Sequence, residues 1–365
     1  MPEVVLRIGQ YEVRGWQSVQ VQRSLDQLAD SFDIALTSPL SSAPPPVPVR
    51  EGDPVALYYG TKTDLGEQLL SGYIDEVDES SNATNFNLRI SGRSKAKDLV
   101  DCSALHKGAW RNKTLVDIAG DIAAPFGLDV TSDVEPVTER YFRLQDSETA
   151  FDAIDRLVRG HGMRAVSYPN GGILLTRTGL VVLPDVVIER GVNVVDGGVR
   201  RSENDRYSEY IFKATLAAAD DDYGEGNASK FAVKDEGVER YRPLIVHLDG
   251  QRAAGKSNKV ALQDQAEWER NTRSGASQKL SYRVLYPGDV ARSWEMPNGH
   301  GLWRPNTTVT VRDTNHAVDG QFLITSVSLS RSSAGTTTQL ELTFPEAYQP
   351  EKPPTKKKKK GGVSW

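Results

Sequence analysis

Period-two alternation of apolar and polar residues is the feature that most restricts the fold of this sequence. Phe86, Leu88 and Ile90 alternate with polar residues, and similar patterns run through residues 3–93 and resume after Lys279. This alternation places one side of a strand in a core and the other side in water. Short strands at this spacing predict antiparallel barrels or sandwiches.

The region between the two β-patterned parts follows a helical period instead. Leu115, Ile118 and Ile122 lie on one face of a helix that Asn112-Lys113-Thr114 opens and Pro125 ends. The predicted fold class is therefore α+β and multidomain, with two similar antiparallel β-barrel domains, a small α/β domain and a helical insert. The predicted domains are 1–98 (first β-barrel), 99–197 (small α/β domain), 198–235 with 278–347 (second β-barrel), 236–277 (helical or extended insert) and 348–365 (disordered basic tail).

The strand that begins the second β-domain is predicted within Asn204–Ala214. A polar, charged entry there runs into a segment rich in aromatic and β-branched residues. The tail is expected to be disordered because the five lysines Lys356–Lys360 and the nearby prolines cannot support a packed element.

Composition excludes several classes of protein. The formal net charge of the 365 residues is -5, which argues against a dedicated nucleic-acid binder. Cys102 is the single cysteine, so neither an intramolecular disulfide nor a thiolate zinc cluster can form. The N-terminus lacks the layout of a signal peptide and the apolar runs are too short to span a bilayer. We therefore expect synthesis in the cytosol and no membrane insertion.

Gly250–Ser257 matches the phosphate-loop pattern G-x-x-x-x-G-K-[ST], in which Lys256 would reach a nucleotide phosphate. A nucleotide-binding domain surrounds that loop with parallel strands and crossover helices. The flanking sequence shows antiparallel patterns instead, which favours a chance match in a polar turn.

Other candidate chemistry has simple structural explanations. A catalytic thiol needs a base and an oxyanion site, so Cys102 is expected to be buried and inert. The carboxylates of Asp75-Glu76 and Asp220–Asp222 could act as acid and base in a glycosidase, but solvated strand edges or loops explain them as well. No catalytic residue, metal ligand or cofactor is predicted. Trp110 and Trp303 are core or interface anchors, and the core is favoured for both.

Several segments form an ordered set along nearly the whole chain. They are Ser71–Asp75, Gly92–Lys95 with Asp98–Cys102, Gly108–Leu115, Asp205–Tyr210, Arg240–Pro243 and Leu302–Asn306. In this order they resemble the baseplate hub proteins of Mu-like contractile-tailed bacteriophages. That family is grouped with the late control D proteins, the T4 hub and the N-terminal part of VgrG spikes.

The resemblance implies a structural protein of the virion tail baseplate rather than an enzyme. It implies a homotrimeric ring of duplicated barrels that adapts the six-fold tail tube to the three-fold spike. The implied partners are the tail spike, tail tube and baseplate wedge proteins, and the tape measure protein. DNA would pass the channel without sequence-specific binding.

In such a ring, Asp205, Arg206 and Tyr207 become candidates for holding the barrels or neighbouring subunits in register. A local ion pair worth ~0–1 kcal/mol is the simpler interpretation of Asp205-Arg206. Two other functions stay open at this point. One is a tail-tip cell-wall hydrolase that uses carboxylates, and the other is a nucleotide-dependent assembly factor that uses Lys256.

Overall fold

The computed structural model describes residues 3–39, 49–105, 108–215, 228–248 and 258–348. The chain divides into two compact units. The first unit holds Met1–Arg159, Met163–Val199 and Leu280–Thr343, and the second holds Gly160–Gly162, Arg200–Lys279 and Phe344–Trp365.

The N-terminal part of the first unit is all β. On its third strand, Val19 and Val21 are buried whereas Gln20 and Gln22 are exposed, as the period-two pattern predicts. The seven strands are β1 (Glu3–Ile8), β2 (Tyr11–Val13), β3 (Ser18–Ser24), β4 (Gln27–Pro39), β5 (Pro54–Gly60), β6 (Glu67–Ser81) and β7 (Asn85–Ser94).

A mixed α/β region follows β7. Its second helix begins with a capping box, because the Thr114 hydroxyl accepts from the Asp117 N–H at 3.1 Å and Asp117 accepts in return from the Thr114 N–H. Ile118 and Ile122 of that helix are buried in the core of this region, as predicted. The elements are α1 (Lys97–Asp101), β8 (Trp110–Thr114), α2 (Leu115–Ala123), β9 (Val130–Ser132), β10 (Thr138–Phe142), α3 (Ala150–Arg159), β11 (Arg164–Ser167) and β12 (Ile173–Thr176). Two further strands, β13 (Val181–Glu189) and β14 (Val194–Arg201), come next.

The second unit packs one helix on one side of a three-stranded sheet. The buried rings of Tyr210 and Phe212 share a core with Leu262 and Ala266 of the helix. Sheet order is β16-β15-β17, with the central strand antiparallel to the first neighbour and parallel to the second. The elements are β15 (Glu209–Thr215), β16 (Ala228–Lys234), β17 (Pro243–Leu248) and α4 (Asn258–Ala276).

The last four strands return to the sheet of the first unit. They are β18 (Gln278–Val284), β19 (Thr307–Asp313), β20 (Val318–Ser332) and β21 (Gly335–Thr343), and five short 3-10 helices complete the described elements: Ala124–Phe126, Val290–Arg292, Pro297–Gly299, Thr314–His316 and Pro345–Tyr348. Strand β20 pairs antiparallel with β3, which places Ser326 opposite Ser24. The strand order is β14-β18-β21-β20-β3-β4-β7-β6-β5-β1-β2, and β19 joins β13 to β20.

This pairing differs from the predicted second β-barrel. Strand β15, within the predicted segment 198–235, lies in a separate sheet from the strands of segment 278–347, and it is grouped with β17 and α4 of the predicted insert. The difference has a physical cause, because alternation marks which side of a strand is buried but not which strand lies beside it. The mixed α and β content is confirmed, whereas two closed barrels are not found in the described residues. The predicted domain boundaries stay a prediction.

Candidate assembly surfaces

Arg206 forms a bidentate ion pair inside the second unit. Its Nε and Nη2 donate to the two carboxylate oxygens of Asp235 at 2.6 and 2.8 Å, and Asp235 is buried. Burial raises the pKa of Asp235, but hydrogen bonds from Arg206 and the Gly237 N–H outweigh burial, and the pKa lies below its usual value. A Cβ on Gly237 would lie 2.1 Å from Arg206 Nη2, so glycine leaves the space that the guanidinium occupies.

Tyr207 lies between two arginines. The guanidinium carbons of Arg242 and Arg273 are each 5.4 Å from its ring centroid, within cation–π range. Arg273 of α4 also donates to the backbone carbonyl of Asp205 at 3.0 Å. The charged entry to β15 is therefore held to α4 and to the loop before β17 by contacts within the unit. A role of Asp205, Arg206 or Tyr207 between barrels or subunits stays a prediction.

Both predicted tryptophan anchors lie in the interior. Trp110 is buried in the α/β core, where its Nε1 donates to Asp121 at 2.8 Å and its ring packs 5.9 Å from Phe142. Trp303 is also buried, and its backbone N–H donates to the Trp294 carbonyl at 3.0 Å. This placement agrees with the core interpretation that the sequence favours.

Only some of the sequence motifs that could carry a catalytic or binding role lie within the described residues. The phosphate-loop match Gly250–Ser257 and the lysine run Lys356–Lys360 lie outside them. Cys102 is exposed, so the expectation that it is buried was wrong. In the described ranges, no three His, Cys, Asp or Glu side chains are grouped to hold a metal ion. No described helix has both the length and the apolar composition needed to cross a membrane.

A buried ionic pair that sequence reasoning missed borders a cavity of about 290 Å³ in the first unit. Asp30 is 6% exposed and its Oδ2 lies 3.6 Å from Arg23 Nε. Burial raises the pKa of Asp30 to about 7, although the charge of Arg23 acts in the opposite direction. The sequence carried one signal for this pair, since Arg23 continues the buried positions Val19 and Val21 of β3.

An apolar sheet edge is the second missed feature. Leu180, Val181 and Val182 are each about half exposed, at 50%, 46% and 46%. Val181 and Val182 begin β13 and Leu180 directly precedes it, and β13 pairs with β19 alone among the described strands. An uncovered edge with apolar side chains is a template for a further strand or a partner protein.

Three family models match separate parts of the chain. Residues 3–94 match the N-terminal domain of the Mu phage baseplate assembly protein GpP-like family, and residues 258–351 match the fourth domain of GpP. Residues 96–177 match the second domain of the gp44-like baseplate hub proteins.

Relatives of known sequence and structure agree with these matches. The baseplate hub protein gp44 of Escherichia phage Mu is 28% identical over 376 residues, which cover 99% of this chain and 93% of that protein. The 43 kDa tail protein of prophage MuSo2 from Shewanella oneidensis is 26% identical with a TM-score of 0.79, over 95% of this chain and 99% of that chain. A tail protein from Neisseria meningitidis MC58 shares the fold at 22% identity and a TM-score of 0.73, over 96% and 98% of the two chains.

Fold and family matches together define a structural protein of the phage tail baseplate type. The resemblance predicted from the sequence is confirmed, because the chain is similar to the phage Mu baseplate hub protein over nearly its full length.

Proposed function

We propose that this protein is the baseplate hub of a contractile phage tail or of a phage-derived tail-like particle. Similarity to the phage Mu hub protein over 99% of the chain is the observation that carries the proposal. The same similarity to the phage Mu hub protein supports a position in the tail baseplate of the virion. The relatives are named as hub and tail proteins, which agrees with a structural role rather than catalysis.

The finer part of the proposal is a homotrimeric ring. A ring of three chains would adapt a six-fold tail tube to a three-fold spike, contact the baseplate wedge proteins, and leave a channel for the tape measure protein and DNA. The surfaces described above support this proposal, because the apolar edge at Leu180–Val182 is suited to a protein contact. Such a ring requires head-to-tail contacts, in which one surface of a subunit meets a different surface of its neighbour.

Native mass spectrometry of the full chain at micromolar concentration tests the oligomeric state, and negative-stain imaging tests the ring shape. A trimeric mass together with a ring that has a central hole is the expected result. A chain that stays monomeric across the micromolar range would contradict the proposed ring. A second test replaces Val181 and Val182 by Lys, which should weaken assembly while leaving the fold intact, because both side chains are about half exposed.

A further inference from the structure

The sheet of the second unit has one side that the described residues leave open. Tyr210 and Phe212 of β15 are buried in the core that this sheet forms with α4, so the alternate residues Ile211 and Lys213 lie on the opposite side. Strand register extends this side across all three strands. Ile245, which is 53% exposed, lies beside Ile211 there.

Positive charge is concentrated in one row of that open side. Lys213 of the central strand is directly opposite Lys230 of β16 and His247 of β17. Strands lie ~4.8 Å apart, so the three side chains start within about 10 Å of one another. We call Lys213, Lys230 and His247 the basic row. The next row on the same side of the sheet is apolar and consists of Ala232, Ile211 and Ile245. We call these three residues the apolar row.

Like charges directly opposite each other destabilise a sheet. The only opposite charge aligned with the lysines on this side in the described register is Glu209, which is paired with Lys234 four residues from the basic row. Lys213, Lys230 and Lys234 together with Glu209 leave a surplus of two positive charges on this side when histidine is counted as neutral. A covering surface that combines carboxylates with an apolar patch would neutralise the surplus and bury the apolar row at the same time.

We propose that the basic row and its apolar neighbours bind a second copy of this chain through a head-to-tail contact. A face with a surplus of positive charge repels its own copy, which disfavours a two-fold contact through it. The chain has a net charge of -5, and subtracting the +2 of this face leaves -7 on the remainder of a neighbouring copy. Duplex DNA fits less well, because its phosphate backbone neutralises charge but offers no surface for the apolar row.

The chain also carries a face that could receive the basic row. Glu76 and Asp78 are exposed on β6, and the register places Asp78 opposite Arg89 of β7. Arg89 is already bound to Asp33 at 2.7 Å, so this face keeps an acidic surplus. We assign Glu76 and Asp78 of the neighbouring copy as the carboxylates that meet Lys213 and Lys230.

The proposal rests on the proposed ring, and its test is a charge-reversal experiment on the full chain. Lys213→Glu with Lys230→Glu should raise the concentration needed for half-maximal trimer formation by about tenfold or more, measured by light scattering and native mass spectrometry. Lys62→Glu with Lys279→Glu makes the same change of net charge at two other exposed lysines and should leave assembly unchanged. Circular dichroism of both variants confirms that each is folded.

A rescue variant addresses the assigned neighbour surface. Adding Glu76→Lys and Asp78→Lys to the Lys213→Glu, Lys230→Glu chain should restore the trimer, because the two charge signs are then exchanged across the contact. If the reversed chain is unfolded, Lys213→Gln with Lys230→Gln replaces it and should weaken assembly in the same direction.

The outcomes separate this contact from the ring itself. A monomeric unmodified chain overturns both proposals. An unmodified trimer that persists in the reversed variant overturns this contact and leaves the ring intact. Binding of a short DNA duplex that is lost on reversal while the trimer persists would assign the row to DNA instead. Failure of the rescue variant, with the reversed chain folded and monomeric, would overturn the assignment to Glu76 and Asp78.

Discussion

Replacement of Asp30 by Asn should remove a pH-dependent loss of stability from the first unit. Asp30 is buried beside the cavity, and burial raises its pKa from 3.8 to about 7. Between these two values the folded chain binds a proton more tightly than the unfolded chain does. Stability therefore falls as the pH rises through this window, and it does not change further through Asp30 above pH 7.

The size of the effect follows from the shift. The pKa of Asp30 rises from 3.8 to about 7, which is a shift of about three pKa units. Each unit corresponds to ~1.36 kcal/mol, so ionising Asp30 lowers the free energy of unfolding by up to about 4 kcal/mol. Asparagine imitates the protonated carboxyl group and does not titrate. The Asp30→Asn chain should thus match the unmodified chain near about pH 4 and exceed its stability near about pH 8 by up to that amount.

Urea unfolding at several pH values measures this difference, because the pH effects of all other groups are common to both chains. Ser31→Ala, on the same strand and without any titrating group, is the matched control, and its stability difference should not change with pH. A difference between Asp30→Asn and the unmodified chain that stays flat from about pH 4 to about pH 8 would refute the reasoning. In that case Arg23 would hold the carboxylate charged despite burial.

Three other predictions address the ion pairs and a close backbone contact. Arg206→Ala should lower the free energy of unfolding by about 3 kcal/mol, because it leaves Asp235 buried without its partner. Arg206→Lys should lower the free energy of unfolding by less, and thermal unfolding compares the two variants. Burial acts to raise the pKa of Asp313, but hydrogen bonds outweigh it and hold this pKa at about 2. The contribution of Asp313 to the free energy of unfolding is therefore present above pH 3.8 and is lost as the pH falls toward about 2. Asp313→Asn should remove that acid sensitivity, which acid titrations followed by fluorescence measure. Gly72→Ala would place a Cβ 2.0 Å from a carbonyl oxygen of the neighbouring strand and should lower the free energy of unfolding by about 3 kcal/mol or more. Gly120→Ala in α2 meets nothing within 4 Å and should raise the free energy of unfolding by about 0.5–1 kcal/mol. Urea unfolding measures both.

Local structure could be predicted well from the sequence where one period dominates. The helix at Leu115–Ala123 follows from its apolar stripe, its Thr114 cap and the proline after it, all of which are local signals. The hairpin of Arg164–Ser167 with Ile173–Thr176 follows from the turn residues between the strands. These elements depend on neighbours within a few residues, so sequence alone contains the information.

Strand partners could not be predicted in the same way. Strand β15 and the strands after residue 278 both alternate, yet β15 pairs with β16 and β17 while β20 pairs with β3, about 300 residues earlier in the chain. The basic row was hidden for the same reason. Lys213 and Lys230 are 17 positions apart and His247 is 17 further on, so only the register shows that the three lie side by side.

The stretch before β15 shows why a charged, aromatic sequence is not by itself evidence of an interface. The side chains of Arg206 and Tyr207 and the backbone of Asp205 all have partners inside the second unit, and the Arg206–Asp235 pair is largely shielded from water. Opening that pair to reach another subunit would leave a buried carboxylate uncompensated, at about 3–5 kcal/mol. Side chains that already satisfy one another are poor sources of binding energy, whereas like charges placed together on an open sheet gain when a partner covers them. Subunit contacts are therefore expected at the basic row, on the opposite side of the sheet from α4, rather than at the Asp205-Arg206-Tyr207 motif.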